Sequence, residues 1–440
     1  MTLHFRKSDY LLYFILLWCV FSFKVLIGGV GEAGLRVDDL LIVVAFVVLI
    51  LRRDLFRIPR SKALNFYLVF LLINFCSAAW NAKMGRVQFV YSAIFAARLV
   101  EYLVFYYLGY VLMESGVNVW RGLRGYFYVL CAVVPLQMIH VIPVASQFNA
   151  ARASGNTNGP YELAVVAAFF LCYYGYQERK RWGAGASFAI LLLTASRSTL
   201  IGAVAGFAWR LLKRSQSRLN LLIVGSGILL ATLVAGAVML PPFWGNDALL
   251  PSAVAANSSA EGSLSARFQS ALTLFNTDDL HAALDTDSLP VYQTSEDYIS
   301  GMFYESLMLA RDFDADRSGT LRVLRWATLI KSAAQHFDSI VAGLGPSFGS
   351  AAVDGYFVRV FIETGVVGML AFLIFLRTMF KGGDDQSGAF RGFVLILIVT
   401  ACFIDIFASY KTMLLLWLWH GMNEYKARQG SDANSLSYAG

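Results

Sequence analysis

Long apolar runs separated by short polar connectors dominate the chain, and only one polar stretch is extended, from Pro241 to Asp354. A helix needs roughly 20 mostly apolar residues to cross a bilayer. YLLYFILLWCVFSFKVLIGG and LNFYLVFLLINFCSAAW are runs of that kind. The first is too long and too aromatic for a cleavable signal peptide, and no small-residue cleavage site follows it, so it reads as a first transmembrane helix. The pattern therefore predicts an all-α polytopic membrane protein with one large loop.

Charge orders these helices. Lys and Arg gather in the connectors RRDLFRIPRSK, WRGLR, QERKRW and LLKRSQSR and in the tail EYKAR, which marks those segments as cytoplasmic. Alternating sides from a cytoplasmic HFRKSDY gives about 12 spans. The first two cover 9–28 and 38–51, joined by an outer turn with Arg36, Asp38 and Asp39. The next cover 63–80, 91–112 and 123–144, the last delivering the outer segment ASQFNAARASGNTNGP. The sixth returns over 160–176, with Pro160 suited to its first turn. ASFAILLLTASRSTLIGAVAGFAWRLL is basic at both ends, so it divides into two short helices meeting near Ser196-Arg197-Ser198. The ninth span, 219–240, completes a 1–240 transmembrane region. The large outer loop is 241–353, three further spans (354–378, 392–409, 411–421) fill 354–421, and a polar cytoplasmic tail occupies 422–440. Within the loop, LRVLRWATLIKSAAQHF has apolar residues at helical spacing and predicts an amphipathic helix.

Composition agrees with a membrane setting. Of 440 residues, 58% are hydrophobic and 15% charged, against about 25% charged in soluble domains. The net charge of +7 is topological, and basic patches interleaved with aromatics for nucleic acid are absent. The large loop carries 13 acidic and six basic residues, which argues against simple adhesion to anionic headgroups. The five cysteines lie in apolar runs without a CxxC pair or a Cys/His cluster, so neither a zinc site nor a disulfide framework is indicated. His140, His281 and His336 have no partners nearby in sequence, and Ser-His-Asp order, HExxH, P-loop and GxGxxG motifs are missing.

Three constellations can carry chemistry. Against a positive-inside background, Arg152, Arg197, Arg267, Arg322, Arg325 and Arg359 are the outer-side arginines. A guanidinium is always charged and grips phosphate oxygens through a planar fork, so several converging arginines suit a diphosphate; each taken singly also fits a solvated or snorkelling charge. Arg197, wedged between two short apolar helices, is the strongest functional candidate among them. Arg98 and Glu101 share a helix face and fit a structural ion pair. Finally, Asp354, Tyr356 and Arg359 precede an apolar helix. Asp354 there fits either a helix cap or a group that orients or deprotonates an acceptor hydroxyl. Glu363, further inside that helix, reads as structural.

Four motifs, in order, resemble the O-antigen polymerase and O-antigen ligase group over residues 150–375. They are ARASGNTNGPYELA, TASRSTLIG, SGTLRVLRWATLIKSA and AGLGPSFGSAAVDGYFVRVFIETGVVG. Ligases of the group usually carry a His-Asn-like pair where this chain has Asp354-Gly355, which favours a polymerase. The group's Asn-Pro appears here as Asn158-Gly159-Pro160, one residue longer.

The resemblance implies a metal-independent, cofactor-free, inverting glycosyltransferase of the membrane-embedded GT-C type in the bacterial inner membrane, with its large loop periplasmic. Its donor would be a glycan on undecaprenyl diphosphate and its acceptor another lipid-linked repeat unit. A chain-length regulator is a further partner to consider. Arg152, Arg197 and Arg322 would grip the diphosphate, and Asp354 would act on the acceptor. Arg359, Tyr356, Glu162 and Trp326 would shape the binding site. The alternatives are transfer of finished glycan to lipid A-core or protein, transport of a lipid-linked glycan, and a non-catalytic scaffold. The one-sided placement of the charges and the lack of related halves count against a transporter.

Overall fold

The computed structural model describes residues 7–22, 26–28, 35–143, 152–157, 159–194, 196–214, 289–301, 317–349, 353–382 and 388–437. The predicted ninth span, Arg267 and most of the large loop lie outside the described residues.

The architecture is all-helical apart from one short strand pair. Helices α1 (Lys7–Phe21), α2 (Val37–Leu51), α3 (Asp54–Arg57) and α4 (Lys62–Lys83) are followed by α5 (Phe89–Glu101) and α6 (Leu103–Glu114), which join at Tyr102. Next come α7 (Val119–Met138), α8 (Pro160–Cys172) with a π-helical extension over Tyr173–Glu178, α9 (Arg181–Leu193) and α10 (Arg197–Arg214). Beyond these lie α11 (Arg317–Ala334), α12 (Phe337–Ala342), α13 (Tyr356–Gly382), α14 (Ala389–Ala401) and α15 (Tyr410–Ser437). Among the described residues, three helical segments are long and apolar enough to cross a membrane: Lys62–Lys83, Phe89–Glu114 and Tyr356–Gly382. Arg181–Leu193 and Ala389–Ala401 are apolar but shorter.

Several boundaries differ from the hydropathy pattern. The first helix ends at Phe21 rather than near residue 28, and Leu26–Gly28 pairs antiparallel with Leu35–Arg36. Glycines at 28, 29, 31 and 34 explain the change, because each weakens a helix without weakening the run's hydrophobicity. Conversely, α15 continues to Ser437 through residues whose polarity assigned them to a tail. The division of the 186–212 run agrees with expectation: α9 ends at Leu193 and α10 opens at Arg197, and Ser196 Oγ lies 3.0 Å from Thr199 Oγ1 in the first turn of α10. The amphipathic α11 also forms where the periodicity placed it.

Helix α8 is buried along nearly its whole length and lies at the centre. It is apolar all round, so it has no solvent face to present. Helix α6 is buried almost as completely; it packs along α15, while α4 packs on α13 and α10 on α14. Trp417, Trp419, Phe169, Phe390 and Phe393 fill the space between them.

Helix α13 breaks at Gly365, where φ is 66° and ψ −164°. The break frees carbonyls that must find donors away from water. Leu344 N–H donates to Ile362 O at 2.6 Å and Gly345 N–H to Glu363 O at 3.2 Å. Ser77 Oγ lies 2.7 Å from Glu363 O and 2.8 Å from Ala342 O, bridging both. The Gly-rich loop before α13 is thereby stitched into the broken helix. A Cβ at Gly365 would collide with the Val341 carbonyl, which is main chain and cannot swing aside. Gly365→Ala is therefore expected to destabilise by about 2 kcal/mol or more. Thermal unfolding of the purified protein checks this; an unchanged midpoint would refute it.

Candidate functional site

The two ends of the bundle differ in character. At one end, Arg57 pairs with Glu114, Arg124 with Glu178 at 3.7 Å, and Ser61 Oγ meets His420 Nε2 at 2.9 Å. Arg57, Ser61, Arg124 and Glu178 belong to the basic connectors. The other end gathers the start of α8, the α9–α10 junction, α11, the turn at 353–355 and the α14–α15 connection.

An arginine group forms there around Tyr161, in the first turn of α8. Arg152 stands over the Tyr161 ring at 4.7 Å and donates to its hydroxyl at 3.3 Å. Its Nε also donates to Thr194 O at 2.9 Å, closing off a carbonyl at the end of α9. From the opposite side, Arg322 of α11 reaches the same hydroxyl at 3.5 Å. Arg322 Nε and Arg325 Nη1 each lie 3.6 Å from Asp354 Oδ2. Three guanidinium groups thus gather around one carboxylate and one phenol. Among the described residues, the Arg322 Nε proton has no hydrogen-bond partner although the atom is buried. The nearest anion to it is the Asp354 carboxylate at 3.6 Å, an ion pair without hydrogen-bond geometry. The Arg322 and Asp354 side chains are 24% and 32% exposed, so a substrate can reach them.

Asp354 is presented by a turn that other residues hold. It is in the left-handed region, with φ 59°. Asp405 Oδ2 accepts from Val353 N at 3.0 Å and Asp354 N at 3.2 Å, while Oδ1 accepts from Gly355 N at 3.2 Å. Successive N–H groups converging on one anion form a nest. Arg359 Nη1 neutralises Asp405 at 3.2 Å and Arg359 Nε pairs with Glu363 at 3.2 Å. Trp326 Nε1 donates to Val353 O at 2.9 Å, and its ring lies against Gly355, where a Cβ would sit 2.8 Å from Cζ2. One helical turn of α11 therefore supplies two arginines to Asp354 and a tryptophan to the turn behind it.

The expected site residues divide into those that meet and those that support. Arg152, Arg322 and Asp354 meet, joined by Tyr161 and Arg325. Arg197 opens α10 and is exposed, three residues past the carbonyl that Arg152 holds. Trp326 acts through the turn. Arg359 is buried at 5% exposure and faces Asp405 and Glu363, a supporting position rather than a substrate-facing one. Tyr356 is likewise turned into the core, its ring 5.1 Å from Phe372 and 5.4 Å from Phe407. Glu162 accepts from Ser409 Oγ at 2.6 Å and Lys411 N at 2.8 Å, latching α8 to the start of α15. Lys411 completes the latch: its buried ammonium donates to the carbonyls of Val20, Ser22 and Asn156 at 2.8–3.0 Å.

No family model and no curated protein matches the chain. Tyr161, Asp405 and Lys411 were not singled out by motif, yet the last two carried a signal: each is an ionisable residue inside an apolar run, which marks a structural or functional tie by default. A further tie closes the C-terminal end of α4, where Arg86 donates to Asp338 at 2.8 and 3.3 Å and Trp80 donates at 3.4 Å. The Arg86 hydrogen bonds hold the Asp338 carboxyl below the usual carboxylate range.

Proposed function

We propose that the chain is a membrane-embedded, inverting glycosyltransferase that polymerises lipid-linked oligosaccharide repeat units, using undecaprenyl diphosphate-linked glycan as donor. The observation that carries this reading is the convergence of Arg152, Arg322 and Arg325 around Tyr161 and Asp354. A diphosphate is a dianion or more and matches three planar forks; an acceptor hydroxyl matches the one carboxylate among them.

In the proposed reaction the acceptor oxygen attacks the anomeric carbon as the bond from that carbon to the diphosphate breaks. The diphosphate leaves with the electron pair, and the arginines stabilise the charge that grows on it. Asp354 accepts a hydrogen bond from the acceptor hydroxyl and orients it, with the proton lost to Asp354 or to water beside it. The 353–355 turn, clamped by Asp405 and Trp326, keeps Asp354 at a set distance from Arg322. Under this reading the fold is of the GT-C type with about 12 spans, in a bacterial inner membrane. The termini and basic connectors are cytoplasmic, and the arginine group faces the periplasm under the large loop.

Purified protein in nanodiscs, given lipid-linked repeat units as its only substrate, is expected to yield a ladder of polymers. No product from repeats alone, but transfer once a lipid A-core or protein acceptor is added, would replace polymerase by ligase. Movement of lipid-linked glycan across sealed vesicles with no new glycosidic bond would replace enzyme by transporter.

A further inference from the structure

The end of the bundle away from the arginine group holds a second charged feature. Helices α8 and α9 pack antiparallel, so the start of α8 and the end of α9 meet at the arginine group, while the π-helical turn and the start of α9 meet at the far end. A cleft of about 400 Å³ opens there, lined by Tyr176, Arg179, Lys180, Arg181, Phe207 and Arg210 among others. Four of those side chains are cations. The acid beside them, Glu178, is engaged by Lys180 at 2.8 Å and by Arg124 at 3.7 Å.

Three details distinguish this cleft from a solvated basic connector. Arg210 is 8% exposed, with its guanidinium 3.9 Å from the centre of the Tyr176 ring. Tyr176 is 4% exposed, and among the described residues its buried hydroxyl has no hydrogen-bond partner. The first turn of α9 also opens at the cleft, and the side chain of Lys180 does not cap it. An unmet hydroxyl and a helix start beside the exposed cations Arg179, Lys180 and Arg181 favour an anion. The opposite wall is apolar, formed by Phe207 and Ala184. Next to it Trp182 is 53% exposed and stacks on Tyr128 at 5.8 Å, an aromatic pair of the sort that sits at a membrane edge.

We propose that this cleft binds the phosphate headgroup of an anionic membrane phospholipid, with an acyl chain against Phe207. A phosphate with one apolar flank satisfies both walls, and basic pockets between spanning helices recognise such headgroups. The site is independent of the glycosyl-transfer reading and stands whether or not that reading does.

The test uses the full chain in detergent, titrated with phosphatidylglycerol, phosphatidylcholine or inorganic phosphate and read by native mass spectrometry. Phosphatidylglycerol is expected to bind the wild type in preference to phosphatidylcholine. Arg179→Ala/Arg181→Ala is expected to weaken that binding about 30-fold, leaving phosphatidylcholine unaffected. Both arginines are exposed, so this variant keeps the fold. Arg210→Ala, read in the same way, is expected to weaken phosphatidylglycerol as well. Equal binding of the two lipids, or wild-type affinity in the double variant, would overturn the proposal. So would displacement of phosphatidylglycerol by an equal concentration of inorganic phosphate, which would assign the cleft to a free anion.

Discussion

Arg322→Ala is expected to lower the rate of polymer formation by about 10²- to 10³-fold, the usual cost of deleting one donor that stabilises a leaving group. Arg322 touches both halves of the group, Tyr161 on α8 and Asp354 on the turn. Its removal leaves Asp354 paired with Arg325 alone and takes a fork from the diphosphate. Arg322→Lys keeps the charge but loses the fork, so its activity is expected to fall between the wild type and the alanine variant. Thermal unfolding should change little, because the side chain is partly exposed and supports no core contact in the described region. The measurement is the initial rate with lipid-linked repeats, alongside binding of undecaprenyl diphosphate. Unchanged polymer length and amount in Arg322→Ala would remove the arginine group from the reaction and with it the proposed function.

Asp405→Ala is expected to destabilise the protein by about 3–5 kcal/mol, the range found when one partner of a buried ion pair is removed. Asp405 answers three main-chain N–H groups and one guanidinium, in a partly buried setting. A second variant separates stability from function. Arg359→Met/Asp405→Leu removes both charges together but leaves Glu363 without its cation, so only part of the lost stability should return. Activity should not return, since the turn that presents Asp354 still lacks its anion. Unfolding midpoints and polymerisation rates of the three proteins decide the matter. Full activity in the double variant would show that the nest is dispensable and that Asp354 is positioned by Trp326 alone.

These two residues illustrate what was legible. Arg322 stood out as a cation on the amphipathic LRVLRWATLIKSA helix, and local periodicity was enough to place it near Trp326 and Arg325. Asp405 was hidden inside a run assigned to a spanning helix. The chain instead leaves α14 at Ala401, and Asp405 precedes a short 3₁₀ turn over Ile406–Ala408. Its partners lie about fifty residues earlier, so neither spacing nor hydropathy indicates them. Arg359 and Tyr356 were expected at the substrate because they follow Asp354 closely. Yet Asp354 lies in the left-handed turn before α13 while Arg359 is inside the helix, and Arg359 faces the nest instead. Glu162 was likewise assigned by its neighbours in sequence, whereas its carboxylate is occupied by a turn nearly 250 residues away.

The sequence by itself determined the helical class, the sidedness of charge, the break near Ser196 and the candidacy of Arg152, Arg322 and Asp354. All of these follow from local hydrophobicity, local charge and helical spacing. Only the tertiary structure decided which charges meet. It drew Arg152 and Arg322 onto Tyr161, turned Arg359 inward to Asp405, and broke α13 at Gly365 so that the preceding loop could satisfy the exposed carbonyls. The physical reason is that buried polar groups must be matched, and their partners come from whichever segments pack against them rather than from residues nearby in the chain.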